Sequence, residues 1–330
     1  MKTRILGNSG ITVSPLGMGC MGLTHAYGDP VPDDKATDTI KQAFDLGYIF
    51  FDTAECYVGT RPDGSTTYNE ELVGSVLRSV RDQVIIATKF GVHHAEDKTL
   101  IVDSKPETIR KSVEGSLSRL QTDYIDLYYQ HRIDPAVEPE EVAETMAELI
   151  KEGKIRAWGI SEADELYLRR AHAVYPVAAV QNRYSMMARW HESLFPTLEE
   201  LNIALVAFSP IANGFLAKAN PSETVFEGAR DYRDGMPQYT EEGQRRAQPL
   251  IDLIQELAVN HTATAAQISL AWMLCKKPWI IPIPGSRKVN RLQENLESAN
   301  IELSNEEIER IDTLLDGLDL AVFGGHSIAQ

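Results

Sequence analysis

The 330-residue chain carries a formal charge of −16, has a pI of about 5.0 and is 43% hydrophobic. That apolar content supports one large α/β domain or two ordinary ones, and the negative charge argues against nucleic acid or an anionic membrane as a general partner. Cys20, Cys56 and Cys275 form neither a C-x-x-C pair nor a metal-ligand spacing, so no metal is expected and reduced thiols in a cytoplasmic protein are the simplest account.

Met1–Ile5 lacks the apolar core of a secretory signal, and no run approaches the roughly 20 apolar residues of a membrane span. Residues 3–6 and 11–14 alternate around Gly7-Asn8-Ser9-Gly10, which predicts a β-hairpin. Strand-like and helix-like runs then alternate. Strands are predicted near 16–19, 48–52, 84–89, 125–130, 155–161, 177–181, 203–208 and 279–283. Helices are predicted near 33–46, 69–80, 106–119, 139–151, 164–173, 192–201, 247–259 with 264–275, and 289–299. Eight β-then-α units without a composition break imply parallel strands, right-handed crossovers and a closed (β/α)8 TIM barrel, an α/β fold forming a single domain over 1–330. Ser304-Asn305-Glu306-Glu307 fits the capping box of an extra C-terminal helix over 304–316, and 317–330 reads as loop. The connections 20–32 and 212–246 exceed ordinary loop length, which marks functional or mobile segments.

Gly17-Met18-Gly19-Cys20-Met21-Gly22 matches G-x-G-x-x-G, but Asp29-Pro30-Val31-Pro32 forbids the helix that a dinucleotide turn requires. Its glycines still permit close backbone approach to a ligand at a barrel mouth. Gly19, Cys20 and Met21 are candidates for that contact.

Three apolar runs end in reactive groups. The run Tyr48–Phe51 stops at Asp52, Val84–Thr88 at Lys89, and Ile125–Gln130 at His131, while Tyr57 follows Asp52 across a short loop. Each alone reads as a helix cap or surface charge. Three in successive units point to the C-terminal rim of a parallel sheet, where such folds place their chemistry. A tyrosine ordinarily titrates near 10. The Lys89 ammonium is expected to lower Tyr57, and Asp52 to hold Lys89 charged. With His131 positioning a carbonyl oxygen, the set forms a general acid and an oxyanion pocket. None of the four supplies a hydride, so a cofactor is required. In the eighth unit, Ser286-Arg287-Lys288 and Arg291 open a helix after Gly285. Basic residues in a first turn are disfavoured without an anion, so this cluster predicts a phosphate ligand.

Together these stretches resemble the aldo-keto reductase family over essentially the whole chain, most closely its bacterial, fungal and plant branch. The matching text is Gly47–Ala54, Tyr57, Lys89-Phe90-Gly91, Asp123–His131, Glu152–Arg156, Gly159-Ile160-Ser161, Gln181–Ser185, Ser209-Pro210 and Ile283–Ser286. The resemblance implies an NADPH-dependent reductase of the alcohol dehydrogenase type, converting aldehydes and ketones to alcohols with a catalytic tetrad Asp52, Tyr57, Lys89 and His131. It implies nicotinamide stacking on Phe208 and a carboxamide held by Ser161 and Gln181. Glu162 replaces the family's usual asparagine, and a carboxylate cannot mimic both ends of an amide. The segment Ser209, Pro210, Ile211, Gly214 and Lys218 would fold over the pyrophosphate. Gly285, Ser286, Arg287, Lys288 and Arg291 would take the 2′-phosphate, with Glu294 and Asn295 near adenine. His25, Tyr27, Cys56, Trp190 and Phe323 are candidates for the substrate mouth beside Tyr57 and His131. A redox-sensing regulatory subunit built on the same fold, and a barrel enzyme acting on phosphorylated sugars, stand as alternatives.

Overall fold

The computed structural model describes residues 2–95, 99–218, 221, 224, 226 and 231–324. Residues 325–330 of the loop expected over 317–330 and parts of the long 212–246 connection lie outside the described residues. The barrel strands are β1 (Met18–Gly19), β2 (Phe50–Asp52), β3 (Ile85–Phe90), β4 (Ile125–Gln130), β5 (Ile155–Ser161), β6 (Ala179–Arg183), β7 (Ala204–Phe208) and β8 (Ile280–Pro282). They form an 8-stranded sheet in sequence order, every neighbouring pair parallel. The two edges meet: Gly17 N–H donates to Pro282 O at 2.9 Å and Gly19 N–H to Pro284 O at 3.4 Å. The helices α1 (Asp33–Leu46), α2 (Asn69–Leu77), α3 (Pro106–Leu120), α4 (Pro139–Lys151), α5 (Glu165–Val174), α6 (Phe195–Glu200), α7 (Glu241–Asn260), α8 (Ala265–Lys276) and α9 (Val289–Glu297) follow the strands in turn, and α10 (Asn305–Asp316) ends the fold.

Strand parity determines what the barrel encloses, because successive side chains point to opposite faces. Phe50, Ala87, Leu127, Tyr129, Ala157, Ala179, Val206 and Ile281 share one inner cluster. Phe51, Ile86, Tyr128, Trp158, Val180 and Leu205, each one residue along, pack instead in the outer core with the helices. The N-terminal hairpin, Arg4–Ile5 paired with Thr12–Val13, adds Leu6, Ile11 and Val13 to the inner cluster.

Several elements depart from the sequence reading. Two further hairpins occupy the second and third βα connections: Val58–Thr60 with Thr66–Tyr68, and Val92–His94 with Leu100–Val102. The first was signalled by Asp63-Gly64, a turn-forming pair whose glycine has φ +85°. Helix α7 starts at Glu241 rather than 247, because Thr240 caps it by accepting from Gly243 N–H and the chain then runs through Pro249. Helix α6 is shorter than expected, since Trp190–Leu194 forms a 3-10 turn before it. The residues after the glycine-rich match form only a 3-10 turn, Met21–Leu23, so no dinucleotide-type helix follows it.

Gly19 is required where the barrel closes. A Cβ there would sit 2.8 Å from Ile283 O. Gly19→Ala is therefore expected to destabilise the fold by about 1–3 kcal/mol through overpacking, seen as a lower urea midpoint; an unchanged midpoint would show that the closure yields without cost.

Candidate active site

Parity also builds the site. Asp52 lies two residues past Phe50, Lys89 two past Ala87, His131 two past Tyr129, Ser161 two past Gly159, Gln181 two past Ala179, and Phe208 two past Val206. Each is thus the first inward side chain above the packed barrel interior, and six strands bring their polar or aromatic ends to one mouth.

At the bottom of that mouth Lys89 is fully buried. Its Nζ donates to Asp52 Oδ1 at 2.5 Å, to Thr53 O at 2.7 Å and to the Tyr57 hydroxyl at 3.3 Å. Asp52 is held from the other side by Gln181 Nε2, which donates to Oδ2 at 2.8 Å. Burial alone would lower the Lys89 pKa, but the Asp52 carboxylate and the neighbouring Tyr57 outweigh it and hold the ammonium above its ordinary value. The Tyr57 ring packs edge-on to His131, centroids 5.9 Å apart at 84°, and stacks on His25 at 6.1 Å and 17°. His131 Nδ1 lies 3.4 Å from Cys56 Sγ.

The expected lowering of Tyr57 by Lys89 is corrected here. Burial pushes its pKa up to about 12, and the Lys89 ammonium pulls it down without overcoming that cost. The phenol is protonated throughout the neutral range. Cys56 is likewise pushed up to about 12 by burial, so its thiol is no nucleophile at neutral pH.

A cleft of about 1090 Å³ runs over this mouth. Gly19, Met21, Asp52, Tyr57, His131, Ser161 and Gln181 line its inner part, with His25 and Tyr27 from the first βα loop. Phe208, Ser209, Pro210, Ile211 and Gly214 line one wall, and Gly285, Ser286, Arg287 and Lys288 line the outer end. Cys20 does not line the cleft: it is fully buried, its Sγ turned toward Met18 O. Lys218, Arg291, Glu294 and Asn295 also lie outside the lining, and Arg291 pairs with Glu294 along α9. Trp190 packs against His191 and Phe323 against Tyr232, neither lining the cleft. Glu162 adopts φ +60°. Its N–H donates to Asn182 Oδ1 and its carboxylate accepts from Arg183 N–H, both at 2.9 Å, so it turns along the strand ends rather than into the cleft.

Sequence reading missed Arg132, Arg183, Asn213 and Tyr232, all of which line the cleft. The signal for Arg183 was parity, since it lies two residues past Gln181. Its guanidinium stands over Phe208, 4.9 Å from the ring centroid, and so covers one face of that ring. Asn213 has a left-handed backbone at φ +59° and its Nδ2 donates to the Tyr27 and Tyr232 hydroxyls, tying the loop after β7 to the loop after β1.

Comparison with known proteins agrees over nearly the full length. The sequence model described as "Aldo/keto reductase family" matches residues 15–316. The chain is 38% identical over 308 residues, 93% of it and 86% of the relative, to a probable aldo-keto reductase 1 of Glycine max. Its fold is similar to a glycerol dehydrogenase from Gluconobacter oxydans, at 26% identity, TM-score 0.84 and 99% coverage of both chains. It is also similar to an aldo-keto reductase from Klebsiella pneumoniae in complex with NADPH, at 26% identity, TM-score 0.71, covering 96% of this chain and 95% of that one.

The Asp52–Lys89 pair yields a stability test. Asp52→Asn leaves a buried ammonium without its counter-charge, with an expected cost of about 3–5 kcal/mol in urea unfolding near neutral pH. Because the folded Lys89 pKa is raised, its contribution is complete below the unfolded lysine value of about 10.4 and is lost only as pH rises through the higher folded value. The deficit should accordingly stay constant between about pH 6 and about pH 9; a deficit under about 1 kcal/mol would mean the pair is not holding the site.

Proposed function

Since this chain belongs to the aldo-keto reductase family, we propose that it is an NADPH-dependent reductase of aldehydes and ketones, acting in the cytoplasm through one barrel domain. The observation that carries the reading is the Lys89 ammonium bonded at once to Asp52 and to the Tyr57 hydroxyl at the floor of a large cleft.

The residues present fit the cofactor. A nicotinamide needs an inner pocket with amide-binding groups, and Ser161 and Gln181 line it together. Gln181 spends Nε2 on Asp52, leaving its carbonyl oxygen as an acceptor. A pyrophosphate needs backbone donors close by, and the segment Ser209–Gly214 runs along the wall with left-handed backbone at Ser209, Ala212, Asn213 and Gly214. A 2′-phosphate needs cations at the far end, where Arg287 and Lys288 line the cleft. Arg287 donates to Gly22 O at 2.7 Å and to Asp29 O at 3.2 Å, bracing the first βα loop over that end. Lys288 makes no ion pair among the described residues.

NADPH, when bound, supplies the hydride that reduces the carbonyl carbon. Tyr57, protonated at neutral pH, donates its proton to the carbonyl oxygen. The adjacent Lys89 stabilises the phenolate left behind, Asp52 keeps Lys89 charged, and His131 orients the oxygen from the facing strand.

Two measurements test this. With a panel of small aldehydes, wild type should oxidise NADPH while Tyr57→Phe loses about 10²–10⁴-fold in kcat with NADPH binding retained. Retention of most of the rate would remove Tyr57 from the role of acid, and tight NADPH binding by wild type without turnover would assign a regulatory role instead. In cofactor titrations NADPH should bind at least about tenfold tighter than NADH, and Lys288→Ala should narrow that gap by weakening NADPH alone. Equal dissociation constants in wild type would refute the phosphate assignment.

A further inference from the structure

This protein is strongly acidic, and its arginines are mostly neutralised in place: Arg81 and Arg156 meet Asp126, Arg119 meets Glu70, and Arg233 meets Asp231. Arg132 and Arg183 differ. Both line the cleft, and among the described residues neither makes an ion pair. Arg132 follows His131 directly in sequence and spends one guanidinium nitrogen on His131 O at 2.6 Å and Ser161 Oγ at 3.0 Å. Arg183 is only 8% exposed. Its guanidinium lies between the Phe208 and Phe323 rings, 4.9 and 5.4 Å from their centroids, and donates to Asn213 Oδ1 at 3.2 Å. The neighbouring carboxylate of Glu162 accepts from the Arg183 backbone N–H and makes no hydrogen bond with the guanidinium among the described residues.

A desolvated guanidinium without a counter-charge is costly to maintain. Burial lowers the Arg183 pKa, Tyr232, Glu162 and Tyr27 offset part of that, and Arg132 adds to the lowering by repulsion. A planar group fixed between two rings, with N–H donors left over, is suited to a planar or tetrahedral anion. Tyr57 and His131 line the same cleft, so an anion held by the arginines would lie in the channel onto which the phenol opens.

We propose that the carbonyl substrate of this enzyme carries an anionic group, a carboxylate or a phosphate, bound by Arg183 with Arg132 at the mouth above Tyr57 and His131. The inference rests on the reductase reading and adds a substrate class to it. Arg183 is the specificity-determining residue, because it is the more buried of the two and has no side-chain tie to the catalytic groups.

The test compares matched carbonyl pairs with NADPH: succinic semialdehyde against butanal, and glyceraldehyde 3-phosphate against glyceraldehyde. Wild type should favour the anionic member of at least one pair by about tenfold or more in kcat/KM, mainly through KM. Preference within the first pair alone identifies a carboxylate, and within the second alone a phosphate. Arg183→Gln should bring the anionic-to-neutral ratio toward one, and Arg183→Lys should restore part of it, with the urea midpoint checking that each variant is folded. Turnover of both members at equal kcat/KM in wild type, or an unchanged ratio in folded Arg183→Gln, would overturn the anionic substrate while leaving the reductase intact. No NADPH oxidation with any of the four would take down both readings.

Discussion

A fully buried ammonium organises this molecule's working end. Lys89 is fully buried, and its charge is supported by three fixed oxygens: the Asp52 carboxylate, the Thr53 carbonyl and the Tyr57 hydroxyl. Each arrives from β2 or the loop after it, and Lys89 itself from the neighbouring β3. Remove the carboxylate and the ammonium becomes a liability of several kcal/mol. Keep it, and the phenol beside it has a permanent positive neighbour that favours the charge appearing when its proton leaves. On the proposed reading, the same interaction that stabilises the folded site also prepares it for chemistry.

The supports of that interaction reach across the barrel. Gln181 on β6 fixes the second Asp52 oxygen, so the acid is held from opposite sides of the mouth. Asn69, at the start of α2, accepts from the Thr53 hydroxyl and donates to Cys20 O and Thr24 Oγ1, which anchors the loop carrying Tyr57 to the loop after β1. Such crossed bonds hold a catalytic geometry within tenths of an ångström. The barrel also closes tightly at β1 and β8, where a Cβ on Gly19 would sit 2.8 Å from Ile283 O.

Electrostatics separates the cleft from the rest of the protein. The surface is acidic and laced with arginine–carboxylate pairs, whereas the cleft contains Lys288 at one end and Arg132 and Arg183 near the other, none in an ion pair among the described residues. Two positive ends joined by one channel are what the proposed phosphate-bearing cofactor and charged substrate would require. The family resemblance speaks to the first of these; the second comes from Arg183, whose guanidinium lies between two aromatic rings without a carboxylate partner among the described residues.

Much of this was legible in the chain itself. The alternation of apolar runs, with a reactive residue ending the second, third and fourth strands, was enough to draw a barrel and to nominate Asp52, Lys89 and His131, because strand period and strand direction are local properties. The cation-rich start of α9 was legible for the same reason. What only the tertiary structure decided was balance and company. Whether Tyr57 titrates low or high depends on burial against a neighbouring ammonium, and burial is set by the loops that close above the mouth. That Glu162 turns away from the cleft, that Cys20 is sealed beneath it, and that Arg132 and Arg183 lack carboxylate partners among the described residues while most other arginines have them all depend on contacts between residues distant in the chain. A sequence lists charges, but only the packed structure shows which of them have been neutralised.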